Sequence, residues 1–250
     1  AAAAAGIQSA SIAPLYAARA ENAYEGLTVP ALNLRSQVFD MARTALETAA
    51  AMDGAALIFE LARSEQTYTF QRPAEYATSI LCGAIAAGWR GPVFIQGDHY
   101  QFVAKKYATD PEGVAAEIAR ACRLAVDAGY RNIDIDASTL VDLALPTVQE
   151  QQRVNAVRTA EAVALVRELE PAGLEISMGG EIGEVGNKNS TAEELAAYLD
   201  EFDVALASRS AGARGLRKVS VQTGTSHGGV PLPGGGVAEV ALDFTVLKEL

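Results

Sequence analysis

Gly97-Asp98-His99 closes the apolar run Val93-Phe94-Ile95, and it is the place in this sequence where chemistry is most legible. An acid beside a histidine at the C-terminal end of a strand puts a proton-transfer group next to a metal ligand. The chain carries only two histidines, and the second, His227, follows another strand-like run, Val219-Ser220-Val221. Other apolar runs end in Asn33, in Ser64 with Glu65, in Asp136 with Ser138, and in Glu181 with Glu184. Two histidines with one or more carboxylates suit Zn²⁺, and Mn²⁺ or Co²⁺ are also compatible.

Each of these residues also has a plainer reading. A strand-end histidine can be hydrogen-bonded scaffold. Neighbours on a regular strand face opposite ways, so Asp98 and His99 need not act together. Asp136 and Ser138 fit an Asx-type turn equally well. Glu181 and Glu184 fall in the glycine-rich stretch from Gly179 to Gly186, read as a loop whose carboxylates are solvated or whose glycines allow close backbone approach. Gly228 and Gly229 are an ordinary turn or a backbone amide nest for phosphate.

The elements that must hold these residues alternate. Residues 7–24 read as helical, then strand-like runs at Leu27–Leu34, Ala55–Leu61, residues 92–97, Asn132–Asp136, Leu174–Met178 and Lys218–Val221 are separated by amphipathic helices. Residues 63–72 read as a polar loop. Pro73 opens a helix ending near Gly88, and Asp110-Pro111 with Gly129 bracket another. Thr147 to Glu150 and Ser190 to Glu193 read as capping boxes, the second opening a helix through Leu199. A last helix begins at Phe244. Six such strand–helix units imply a parallel sheet with helices outside it. No GxGxxG follows the first strand and the polar residues gather after the strands, which favours a (β/α)8 TIM barrel over an open doubly wound sheet. About six βα units are present, two short of eight, in what reads as a single domain over residues 1–250 that is incomplete at its C-terminal end.

The balance of 31 acidic against 20 basic residues argues against a nucleic-acid partner. No apolar run is long enough for a membrane span, and the alanine-rich start lacks the features of a signal peptide. Cys82 and Cys122 form no CxxC and read as buried apolar residues of a reducing, cytoplasmic setting.

Taken together, the strand ends resemble the class II, metal-dependent fructose-bisphosphate aldolase family. Gly97-Asp98-His99 resembles its third-strand Asp-His, Ile135-Asp136-Ala137-Ser138 its fourth-strand Ile-Asp-Gly-Ser, and Glu181-Ile182-Gly183 its fifth-strand Glu-Leu-Gly. Ser226-His227-Gly228 resembles its sixth-strand Val-His-Gly, Val29 to Asn33 its first-strand segment, and Leu242-Asp243-Phe244 its Leu-Asp-Phe. The resemblance implies a (β/α)8 barrel and a divalent metal, usually zinc, that polarises a ketose carbonyl. It implies His99 and His227 as ligands with Glu181 near the metal, and Asp98 as the proton-transfer group. Asn33, Asp136, Ser138, Gly228 and Gly229 would lie around the substrate. The family's third histidine, with its phosphate site, has no counterpart before Leu250. The expected activity is aldol cleavage of a phosphorylated ketose, the expected ligand a small sugar phosphate, and the expected assembly a homo-oligomer. Two other readings fit the same residues: a non-catalytic companion subunit of a sugar-bisphosphate aldolase, and another metal-dependent barrel enzyme such as an isomerase or hydrolase.

Overall fold

Parallel strands need long crossovers, and the amphipathic stretches between the apolar runs supply them. In a computed structural model, describing residues 1–24, 26, 28–54, 56–183, 188–224, 232, 233, 235, 236 and 242–249, the strands are β1 (Ile7–Ser9), β2 (Ala31–Asn33), β3 (Ile58–Ala62), β4 (Gly91–Gln101), β5 (Asn132–Asp136), β6 (Ser177–Glu181) and β7 (Lys218–Ser220). The helices are α1 (Ala13–Ala20), α2 (Val38–Ala51), α3 (Arg63–Tyr68), α4 (Pro73–Ala86), α5 (Ala104–Tyr107), α6 (Pro111–Asp127), α7 (Val148–Leu169), α8 (Ala192–Arg209) and α9 (Phe244–Glu249).

Local chemistry explains the helix ends. The Gly113 amide donates to the Asp110 carboxylate at 2.9 Å at the start of α6, and the chain leaves that helix through Gly129 at φ 90°, a left-handed turn that glycine makes without strain. Thr147 and Glu150 close a reciprocal capping box on α7. On α8 the box is Thr191 with Glu194, one residue later than the sequence reading, and the helix runs on to Arg209. α2 buries Val38, Ala42, Leu46 and Ala49, at helical spacing, and leaves Met41 exposed.

β2 to β7 pair in chain order, all parallel. The sheet is curled. The Lys218 ammonium of β7 donates to the Gln96 side chain of β4, although three strand spacings of about 4.8 Å would set those strands roughly 14 Å apart in a flat sheet. This is the architecture of a partial (β/α)n barrel with six strands; the eight strands of a full barrel go beyond it. Polarity is divided between the two faces of the sheet. On β5, Ile133 and Ile135 pack outward into the apolar cluster with Ile95, Met178, Val163 and Phe202, whereas Asp134 and Asp136 face inward to Lys218 and His99.

Three further differences from the sequence reading have physical causes. The first segment of the supposed helix at 7–24 is the strand β1, parallel to the beginning of β4 through Ile7–Gly91 and Ser9–Val93. It is tied to β5 by the Asn132 side chain, which accepts from the Ile12 amide and donates to the Ala10 carbonyl. Residues 63–68 are the helix α3, started by the Glu65 carboxylate accepting the Ala62 amide at 2.9 Å. Gly179, Gly180 and Glu181 are strand, not loop, because β5 and β7 pair with β6 from both sides. Cys122 is buried as expected, but Cys82 is exposed, and both thiols are free. Among the described residues no helix is long and apolar enough to cross a membrane.

Candidate metal centre

All six strands of the path end on one face, and their inward side chains converge there. On a regular strand Asp98 and His99 would point opposite ways. β4 avoids this with a bulge: Gly97 pairs with Ile133 and Tyr100 with Ile135, so β4 spends one residue more than β5 over that span. A bulge re-aims side chains in this way. His99 sits within it at φ 41°, a conformation that costs a non-glycine residue on the order of 1–3 kcal/mol. Gly97 is needed beside it, since a Cβ there would stand 2.6 Å from the Tyr100 ring.

The turned imidazole meets carboxylates from three directions. His99 Nδ1 is 3.1 Å from Glu181 Oε2 and 3.5 Å from Asp136 Oδ2, while Nε2 is 3.5 Å from Asp98 Oδ1. Ligand atoms of His99, Asp136 and Glu181 all lie within 4.8 Å of one another. Asp136 is oriented by its neighbours: the Ser138 hydroxyl donates to it at 2.7 Å, the Ser138 amide at 3.1 Å, and Gln101 Nε2 at 2.7 Å. The Asx-type turn is therefore real, and it serves the cluster. Asn155 Nδ2 donates to the Glu181 carbonyl at 2.8 Å and fixes the end of β6.

Electrostatics follow from this crowding. Hydrogen bonds to Asp136 and Glu181 push the His99 imidazole up to about 11. Burial alone would raise the Asp136 carboxyl, but His99, Ser138 and Gln101 outweigh it and hold the group below its ordinary range. Glu181 and Asp98 stay above theirs, mainly through burial. The field that draws a proton onto His99 is the same field that would hold a divalent cation. One imidazole nitrogen and two carboxylates suit Zn²⁺, Mn²⁺ or Co²⁺, and buried carboxylates without a counter-charge are costly. The donor set fits such an ion.

The cluster floors a cleft of about 670 Å³ whose opposite wall carries Asn33, Arg35, Arg63 and Tyr68. Buried Glu65 organises that wall. It accepts from Asn33 Nδ2 at 2.7 Å and Arg35 Nε at 2.5 Å. Burial would raise its carboxyl, but those bonds and the Ala62 amide hold it low. The structure thus brings together Asp98, His99, Asp136, Ser138, Glu181 and, across the cleft, Asn33. His227, Gly228 and Gly229 lie outside the described residues, as does Glu184; the strand leading towards His227 pairs with β6 through Ser220–Glu181. Gln101 received no role from the sequence, which offered Glu65 only as one acid among the strand ends. Glu65 has a signal in hindsight: it sits three residues after the end of an apolar strand, the spacing of a helix-capping acid.

Beneath the cluster lies a second polar layer that the sequence reading did not assemble. Glu60 accepts from Gln96 Nε2 at 2.7 Å. Its carboxyl is raised to about 7 by burial and by the charges of Asp98 and Asp134, against the pull of Lys218. Between the ordinary carboxylate value and pH 7 the folded protein holds a proton that the unfolded chain has released, so stability falls as pH rises through this window. The full penalty, on the order of 3 kcal/mol, is present above pH 7. Glu60→Gln keeps the acceptor for Gln96 and removes the charge. It is expected to raise the thermal midpoint at pH 8 by roughly 6–12 °C and to leave it unchanged at pH 5, as read by circular dichroism melts.

No protein-family model matches the sequence, and no curated protein matches it. Among solved structures, a probable tagatose 6 phosphate kinase from Sinorhizobium meliloti 1021 superposes with a TM-score of 0.62 at 15% identity, over 86% of this chain and 53% of that one. This chain therefore spans about half the length of that protein. At such identity the likeness is one of fold, a curled parallel sheet flanked by helices.

Proposed function

We propose that this chain is the catalytic part of a metal-dependent aldolase acting on a phosphorylated ketose, with its six strands belonging to a (β/α)8 barrel. The observation that carries the reading is the bulge at His99, which spends backbone strain to bring an imidazole nitrogen to 3.1 Å from Glu181 and 3.5 Å from Asp136 at the floor of an open cleft. Strain of this kind collects at sites of chemistry. His99, Asp136 and Glu181 would hold the ion, and His227 keeps its proposed place as a further ligand. A divalent cation supplies Lewis acidity there, polarising a ketose carbonyl and stabilising the negative charge left when a carbon–carbon bond breaks.

The chain's own residues do the rest. Asp98 lines the cleft beside His99 and takes the proton of the hydroxyl on the carbon being released. The electrons of the broken carbon–carbon bond move towards the ketose carbonyl, and the released carbon becomes an aldehyde. Asn33 and Arg35, locked by Glu65, present donors to the substrate from the far wall, and the backbone at Gly228 and Gly229 would position it further. The solved neighbour, a probable tagatose 6 phosphate kinase, is named for a substrate of this class. Elemental analysis of the full-length protein is expected to find a divalent metal, and a panel of ketose phosphates to show cleavage that a chelator removes and Zn²⁺, Mn²⁺ or Co²⁺ restores. A full-length protein that binds no divalent ion sinks the proposal.

A further inference from the structure

Glu60, Asp98, Asp134, Asp136 and Glu181 bring five carboxylates to the inner side of the curled sheet, and one divalent ion with His99 does not balance them. The layer beneath the proposed metal ligands supplies one further positive charge from the protein itself. Lys218, at the start of β7, lies 2.9 Å from Asp134 Oδ2 and donates to Gln96 Oε1 at 2.5 Å. Its ammonium stands 5.7 Å from the centre of the Tyr16 ring, so oxygen atoms and a π face surround it as they would a bound cation. Gln96 passes the contact on to Glu60 at 2.7 Å.

Two further observations mark this as a cation position. Gly179 makes the room: a Cβ there would strike Asp134 Oδ1 and stand 2.9 Å from Lys218 Cε. Asp134 Oδ1 is itself buried without a hydrogen-bond partner, an oxygen left over after the lysine is satisfied. The lysine and Asp134 share a chamber of about 140 Å³ with Asp98, Asp136, Glu181 and Ser220, so this position and the His99 cluster open on the same space. That space exceeds what a water or an ion needs.

We propose that the Lys218 ammonium is a tethered cation filling the second cation position of this carboxylate cluster, so that the site takes one divalent ion per chain and not two. The proposal rests on the metal-site reading above. It makes Lys218 a positioning residue, fixed under the cluster and excluding a second ion by charge. Burial alone would lower the Lys218 amine, but the charge and hydrogen bond of Asp134, with Tyr16 and Glu60, together outweigh it and hold the group above its ordinary value, as this role requires.

Calorimetric titration of the metal-stripped full chain with Mn²⁺, on wild type, Lys218→Arg, Lys218→Met and Lys218→Met/Asp134→Asn, tests it. Wild type and Lys218→Arg are expected to bind one ion each. Lys218→Met is expected to bind one more than wild type, and the added Asp134→Asn to lose that extra ion. Wild type taking two ions at saturation, or Lys218→Met binding no more than wild type, overturns the proposal. Wild type binding none overturns the metal-site reading instead, and the difference between Lys218→Met and wild type still decides this one. Should Lys218→Met be unfolded when stripped, recovery of its melting transition on adding Mn²⁺ supports the second position. Failure to recover while Lys218→Arg folds normally overturns it.

Discussion

Replacing His99 is expected to abolish divalent-metal binding and turnover together, with an affinity loss of at least 10³-fold, or about 4 kcal/mol. The imidazole is the one nitrogen ligand among the described members of the cluster, and its ring reaches the site only through the bulge in β4. The comparison of His99→Ala with His99→Gly separates the side chain from the backbone. Both lose the ligand. Only glycine relieves the left-handed φ of 41°, a change of roughly 1 kcal/mol in favour of the glycine variant. Both variants also leave Asp98, Asp136 and Glu181 without the imidazolium that they surround, so both are expected to melt below the stripped wild type. Titration calorimetry and thermal unfolding on the three proteins read the two effects independently. A variant that keeps wild-type metal affinity removes His99 from the site.

That bulge also marks where reading the sequence stops being sufficient. The helix ends were legible because capping is local: Asp110 and Thr147 act on residues within one turn. Asn132 to Asp136 was legible as a strand because its length and flanks are strand-like. The direction of the His99 ring was not, since period-two alternation assigns it to the opposite face from Asp98, and only a register shift against β5 overturns that. The strand character of Gly179-Gly180-Glu181 was hidden for a related reason. Glycine has little intrinsic preference for strands, yet at Gly179 and Gly180 a Cβ would collide with Asp134 and the Tyr198 hydroxyl. The glycines are there because side chains from other elements fill their space. β1 is three residues long, too short for any periodicity to declare itself, and it exists because the beginning of β4 offers it a partner. The inner polar layer was visible only as exceptions: Glu60 in an apolar run, Asp134 alternating with isoleucines, a lysine starting a strand. Curling the sheet turns those exceptions into partners.

Asp98→Asn is expected to lower the turnover number by 10²–10⁴-fold, the usual contribution of a positioned proton-transfer group, while changing metal affinity little. The side chain keeps its shape, and the amide cannot take a proton from a substrate hydroxyl. If Asp98 served only as an ion-pair partner for His99, 3.5 Å away, the substitution would show itself in metal binding and leave turnover near normal once the site is saturated. The split between the turnover number and the metal dissociation constant therefore tells the two roles apart. A second readout comes from the layer below. The Asp98 charge is one of the causes that raise the Glu60 carboxyl, so Asp98→Asn lowers that group towards its ordinary value and shrinks the loss of stability between pH 5 and pH 8. Melts across that range on wild type, Asp98→Asn and Glu60→Gln should therefore show Asp98→Asn lying between the other two. A pH dependence unchanged from wild type would mean that Asp98 and Glu60 do not share a field, and the inner face would then have to be treated as two independent sites.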